Sequence, residues 1–112
     1  MKIEYRNKKV RKQCTELKQA QRDFGPKIAR KLLKLLNFLE NAENLKSVIN
    51  NHIYNFHALK GTRNGEYAMD VDGRRSSYRL IVTFESSRID DVFANSIIIQ
   101  SIEIEEVSKH YE

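Results

Sequence analysis

Polar and apolar side chains alternate over residues 2–6, with Ile3 and Tyr5 on one side and Lys2 and Glu4 on the other. This period of two predicts a short opening strand. The period then lengthens to that of a helix. Asn7 is a suitable N-cap, and Val10, Cys14, Leu17 and Phe24 recur at helical spacing with lysines and glutamines between them. Gly25-Pro26 breaks this first helix and opens the next, because proline fits a first turn where its missing N–H has no partner to lose. From Ile28 onward, Leu32, Leu35, Leu36 and Leu39 fall on one face, with Lys27, Arg30, Lys31 and Lys34 largely outside it. The two predicted helices make a hairpin near residues 8–41.

Residues 41–51 read as a loop with one short helical turn around Leu45–Ile49. The period then returns to two. Tyr54–Leu59 is a predicted strand, closed by Lys60-Gly61 and a polar turn through Asn64-Gly65. Glu66–Val71 is a second, and Asp72-Gly73 is a hairpin turn signal. Ser77–Phe84, rich in β-branched and aromatic residues, is a third. A polar loop around residues 86–91 leads to a last strand, roughly Ser96–Glu105, with Ile98, Ile102 and Ile104 facing alike. No internal repeat or low-complexity segment interrupts this order. The expected fold class is α+β, a β-α-α hairpin followed by an antiparallel sheet of four to five strands in total, with the helices on one sheet face.

Composition narrows the picture. A chain of 112 residues supports one core, so residues 1–112 are expected to form a single domain. Hydrophobic residues make up 40%, which separates the sequence from disordered tails. Residues 1–63 hold fifteen Lys/Arg against five Asp/Glu, whereas residues 64–112 hold five against ten. A basic half is the footprint of a polyanionic partner, and equally of a well-solvated helix surface, so charge alone leaves both open. The single Cys14 excludes an intramolecular disulfide and supplies no metal-ligand cluster. Ile97-Ile98-Ile99 is far shorter than the roughly 20 apolar residues that cross a bilayer, and the opening residues lack a signal peptide's apolar stretch. A cytoplasmic location without membrane contact is the expectation.

The run Phe56-His57-Ala58-Leu59-Lys60-Gly61-Thr62-Arg63-Asn64-Gly65-Glu66-Tyr67-Ala68-Met69-Asp70 resembles the central motif of the RelE/HigB toxin superfamily. That motif is a strand with His, then Leu-x-Gly, a basic turn and Gly-x-Tyr/Trp. Tyr78-Arg79-Leu80-Ile81-Val82 is similar to its Tyr/Trp-Arg-hydrophobic strand, and residues 102–110 to its closing segment. The opening Ile3-Glu4-Tyr5-Arg6-Asn7-Lys8-Lys9, with Cys14-Thr15 downstream, resembles one HigB-like branch. The family's terminal Val-Asp-Tyr-His stands here as Val107-Ser108-Lys109-His110. Lys109 therefore occupies the aromatic position, and Tyr111 follows as another aromatic.

The resemblance implies the toxin of a type II toxin–antitoxin pair, a ribosome-dependent endoribonuclease that cleaves messenger RNA without metal or other cofactor. It implies two partners, a helix-turn-helix (HigA-like) antitoxin and the ribosome with its message. A ParE-like gyrase poison and an inactive relative that only binds its antitoxin are the alternatives. Metal-free RNA cleavage needs a base for the 2′-hydroxyl proton, an acid for the 5′-oxygen, cations for the phosphorane and a surface to hold a base. The catalytic candidates are His57, Arg79 and His110, and the RNA-binding candidates are Lys60, Arg63, Arg74, Arg75, Lys109 and Tyr111. Arg79 stands between Tyr78 and Leu80 in an otherwise apolar strand. It must reach a polar site or a carboxylate, since an unpaired buried charge is costly. His52 reads as a loop residue, Cys14, Tyr67 and Tyr78 as core or sheet aromatics and thiol, and Glu103, Glu105 and Glu106 as a solvated sheet face. Lys60, Arg63 and Arg79 are expected to form the most positive patch.

Overall fold

The computed structural model describes residues 1–85 and 91–109. Strand β1 (Lys2–Tyr5) leads into helices α1 (Lys8–Thr15), α2 (Leu17–Phe24), α3 (Pro26–Asn41) and α4 (Leu45–Asn50). The remaining strands are β2 (His57–Ala58), β3 (Tyr67–Asp70), β4 (Tyr78–Thr83) and β5 (Ser101–Lys109), with single 3₁₀ turns at His52–Tyr54 and Gly61–Arg63. They form one five-stranded sheet in the order β1-β5-β4-β3-β2. Only the β1–β5 pair is parallel, and the other three are antiparallel. The expected class, α+β with a β-α-α opening and a sheet of four to five strands, is the observed one, except that the expected antiparallel sheet has one parallel pair.

Local chemistry explains the helix boundaries. The Asn7 side chain accepts from the Val10 N–H, and the Asn44 side chain caps α4 in the same way through Ser47. Pro26 opens α3 after Gly25, whose φ of 86° suits glycine. At the far end of α3 the Met1 ammonium donates to the carbonyls of Leu39, Glu40 and Ala42. A positive charge thus meets the negative end of the helix and ties β1 to it.

Three details differ from the sequence reading. The single helix expected through Phe24 is two, separated at Glu16, which is extended (φ −118°, ψ 113°). The break re-aims the second segment so that Ala20 is buried while Leu17 is left 44% exposed. The strand expected over Tyr54–Leu59 shrinks to two residues. Tyr54 belongs to a 3₁₀ turn and packs on Phe38 of α3 at 5.1 Å, and Asn55 is left-handed (φ 48°), which ends the extended run. The last strand starts at Ser101 rather than Ser96. Asp91 Oδ1 accepts from the Phe93 and Ala94 N–H groups and starts a series of turns, so Ile99 is buried and Ile98 is 69% exposed. Ile102 and Ile104 do share the buried face.

One core cluster joins Leu32, Leu35, Leu36 and Leu39 of α3 to Met69, Leu80, Val82, Ile102 and Ile104 of the sheet. A satellite of Leu59, Ala68 and Ile81 lies on the opposite sheet face. Cys14 is part of the main cluster, and burial pushes its thiol pKa up from 9.0 to about 12. The native fold therefore favours the neutral thiol. Its contribution is complete below about pH 9 and is lost as pH rises towards about 12. We expect a thiol reagent at pH 8 to label Cys14 only after urea unfolding, as read by absorbance. Cys14→Ala should flatten the fall of stability between pH 9 and 12, as read by denaturant titration.

Candidate functional site on the helix-free sheet face

Alternation along the central strands sorts side chains between two faces. Met69, Leu80, Val82 and Val107 turn towards the helices. Their neighbours Ala68, Asp70, Arg79, Ile81, Glu106 and Ser108 turn the other way. Cross-strand register aligns these into rows: His57, Ala68, Ile81 and Glu106 in one, then Asp70, Arg79 and Ser108 in the next. A bulge at Glu105 lies between the pairs Ile81–Glu106 and Val82–Ile104. Glu105 and Glu106 therefore both fall on the helix-free side before Val107 turns inward again.

His57 is half-buried in β2, with Nδ1 2.7 Å from the Asn55 carbonyl oxygen. A carbonyl only accepts, so Nδ1 carries the proton and Nε2 of the neutral ring is left as the base. The left-handed turn at Asn55 bends the backbone just before this contact.

Arg79 finds the carboxylate that its position in an apolar strand demanded. Its Nε lies 3.0 Å from Oδ1 of Asp70, its cross-strand partner, and the two side chains are 14% and 1% exposed. Nη1 donates to the carbonyls of Ser76 (2.5 Å) and Tyr78 (2.8 Å), and Nη2 to that of Arg74 (3.0 Å). The guanidinium thus clasps the β3–β4 turn. Of its five N–H groups the turn takes three; the Nε–H lies against the Asp70 carboxylate without donating to it, and one N–H on Nη2 is left over.

Arg63 lies in the 3₁₀ turn between β2 and β3. Its Nε donates to Glu66 Oε1 and its Nη2 to Glu106 Oε2, both at 2.6 Å. Hydrogen bonding to Glu106 first, and to Glu66 second, raises its pKa. The turn is thereby strapped across the sheet to β5, above the satellite core.

Lys60 is exposed at the start of that turn, and Arg74 and Arg75 are exposed on the β3–β4 turn whose backbone Arg79 holds. Lys109 is opposite Tyr78 in register, with Nζ 5.6 Å from the Tyr78 ring centroid, which places it with the helix-side row. His52 is exposed in its 3₁₀ turn. His110 and Tyr111 lie outside the described residues. The fold therefore brings His57, Arg79 and Arg63 to one face, sets Lys60, Arg74 and Arg75 at its loops, and turns Lys109 away.

The charge balance of this face differs from the expected positive patch. Arg63 and Arg79 are paired with Glu66, Glu106 and Asp70. Further along, Thr83 Oγ1 donates to Glu105, and the hydrogen bond between Glu103 and Glu105, followed by burial and Glu4, raises the Glu103 pKa. Glu4, Glu85 and Glu103 line a cleft there with Thr83, remote from His57. The exposed cations are concentrated on the helices instead, among them Lys8, Arg11, Lys12, Arg30, Lys31 and Lys34.

Sequence reasoning missed Asp70 and Glu106 as partners of the two arginines. The first was hidden by the turn: counting outward from the expected Asp72-Gly73 turn pairs Asp70 with Arg75, whereas the observed turn is centred on Arg74-Arg75 and its register pairs Asp70 with Arg79. The second depended on the bulge at Glu105, which nothing in the spacing announces.

No protein-family model matches the chain, and no curated protein does. Solved structures do match. A mutant of YafQ from E. coli aligns with a TM-score of 0.56 at 20% identity, covering 96% of this chain and 90% of that one. A YoeB/ParE toxin from Agrobacterium tumefaciens aligns with a TM-score of 0.56 at 13% identity, over 99% of this chain and 100% of that one. The YoeB–YefM complex from Staphylococcus aureus gives 0.54 at 16% identity, over 99% and 98%. The likeness is one of architecture: along nearly its whole length the chain has the α+β fold of the YafQ and YoeB structures.

Proposed function

We propose that the chain is the toxin of a toxin–antitoxin pair and that it cleaves messenger RNA on the ribosome without a metal ion. The observation that carries this reading is the placement of His57, with Nε2 as its base, on the same helix-free face as Arg79, in a fold shared with toxins. In the proposed reaction His57 Nε2 accepts the 2′-hydroxyl proton and the 2′-oxygen attacks phosphorus. The bond from phosphorus to the 5′-oxygen breaks as an acid delivers a proton to that oxygen. The products are a 2′,3′-cyclic phosphate and a 5′-hydroxyl. Arg79 supplies positive charge to the phosphorane through the N–H that the turn leaves over. The sequence resemblance assigns the acid to His110. Lys60, Arg74 and Arg75, with Tyr111, guide the strand, and the cations of α1 and α3 hold ribosomal RNA. The antitoxin partner is proposed from the YoeB–YefM complex among the structural neighbours, and its helix-turn-helix, HigA-like type from the sequence resemblance.

Loss of a general base lowers a rate by about 10²–10⁴, and loss of a preorganised donor by about 10²–10³. His57→Ala and Arg79→Ala should show losses of those sizes in primer-extension assays of message cleaved on translating ribosomes, with unchanged circular dichroism. His52→Ala should cleave at the wild-type rate. Wild-type cleavage by both site variants, or a wild type that traps gyrase and leaves message intact, would overturn the nuclease reading.

Ribosome association should weaken steeply with salt, because each neutralised phosphate releases counterions. Neutralising Lys31 and Lys34 together should reduce the slope of log K against log salt by roughly 1–2. A slope unchanged by that double substitution would remove α3 from the interface. Co-expression with an adjacent helix-turn-helix gene should restore growth, and undiminished toxicity would exclude that gene as the antitoxin.

A further inference from the structure

Among the described residues, Asp70 is the one charged side chain buried in the protein, at 1% exposure. Neither of its carboxylate oxygens receives a hydrogen bond there. Arg79 Nε stands 3.0 Å from Oδ1 but is not aligned to donate, while the well-aligned N–H groups of the same guanidinium go to the carbonyls of Arg74, Ser76 and Tyr78. Buried polar groups are nearly always hydrogen-bonded, so a carboxylate kept without donors calls for an explanation. Stability is a poor one, since a buried ion pair with incomplete hydrogen bonds repays little of its desolvation. Orientation is a better one. The carboxylate holds the charge centre of Arg79 on the helix-free face, and the turn carbonyls then set the plane of the guanidinium. Asp70 is also two residues along β3 from Ala68, the register partner of His57. Diagonal cross-strand neighbours of this kind are about 7–8 Å apart, so the clasp stands beside the proposed base.

We propose that Asp70 is a positioning residue for Arg79. Its buried charge fixes the guanidinium so that the Nη2 N–H left over by the turn is presented to a substrate phosphate. Asp70 touches neither substrate nor reacting atoms and acts only through Arg79. This inference rests on the reading of Arg79 as the phosphate-facing charge.

The side-chain N–H signals of Arg79 in the ¹⁵N-labelled protein test the clasp without reference to activity. In the wild type the Nε–H should exchange slowly because the ion pair with buried Asp70 shields it from solvent, and the Nη groups should give separate signals because rotation of the guanidinium is blocked. In Asp70→Asn, whose backbone amide spectrum reports that it is folded, exchange of the Nε–H should accelerate at least about tenfold, as for a freely mobile arginine. On ribosomes, Asp70→Asn should reduce cleavage by about 10²-fold, the scale of a misplaced reacting group. It should leave the residual rate of Arg79→Ala unchanged, because a residue that acts through Arg79 has nothing to act on without it. A freely rotating guanidinium in the wild type overturns the proposal even if the variant fails to fold. Unchanged protection in Asp70→Asn also overturns it, as do equal rate losses in both backgrounds, which mark a structural role. A wild type that cleaves nothing, combined with protection lost in Asp70→Asn, rejects the nuclease reading while the positioning of Arg79 by Asp70 stands.

Discussion

The structure depends on the burial of the α3 leucine stripe against one side of the sheet. Leu32, Leu35, Leu36 and Leu39 meet Leu80, Val82, Ile102 and Ile104 in a single cluster with almost no exposed area. Fully burying a side chain of this size is worth about 1.5–3 kcal/mol, so a one-residue slip that turned a whole strand over would be prohibitive. Once the apolar set of β4 and β5 is committed to the helices, the intervening residues have only the other face to occupy. Arg79, Glu106 and Ser108 reach the helix-free side because Leu80 and Val107 do not.

Charge on that side then has to be balanced in place. Among the described residues no helix lies over this face, yet Leu59, Ala68 and Ile81 are buried there. Arg63 ties the β2–β3 turn to β5 through Glu106 and gives this small core its edge. Arg79 does the same for the β3–β4 turn through Asp70 and three carbonyls. Two loops carrying exposed cations, Lys60 on one and Arg74 and Arg75 on the other, are each held by an arginine that points back into the sheet. The division of labour is physical: a long planar cation with five donors can satisfy several fixed acceptors at once, and the short-range order it imposes reaches the exposed residues beside it. Exposed positive charge is accordingly concentrated on the helical hairpin, while the sheet face offers a small number of oriented groups.

His57 illustrates how such a face fixes an imidazole. Its ring is held by the carbonyl of a left-handed Asn55, which selects the tautomer and leaves Nε2 unprotonated. That ring and the guanidinium of Arg79 sit in adjacent rows of one rigid sheet. The geometry of a proposed proton transfer is set by strand register rather than by a mobile loop.

Periodicity in the sequence was enough to determine the element types, their order and the α+β class. It also marked α3, β3, β4 and the inward pair Ile102 and Ile104, because these have strong and uninterrupted periods. The requirement that Arg79 find a polar partner was legible for the same reason, as a charge in an apolar run. The break at Glu16, the 3₁₀ turn at Tyr54 and the late start of β5 were decided by packing. Ala20 outcompeted Leu17 for the core, Tyr54 found Phe38, and Ile99 rather than Ile98 was buried. Tertiary structure alone decided the site's electrostatics. Arg63 and Glu106 are separated by 43 residues and meet only because the bulge at Glu105 turns Glu106 outward beneath the β2–β3 turn. A local pattern records which face a side chain occupies, but the identity of its neighbour across strands is a property of register and bulges, and these are settled only when the sheet assembles.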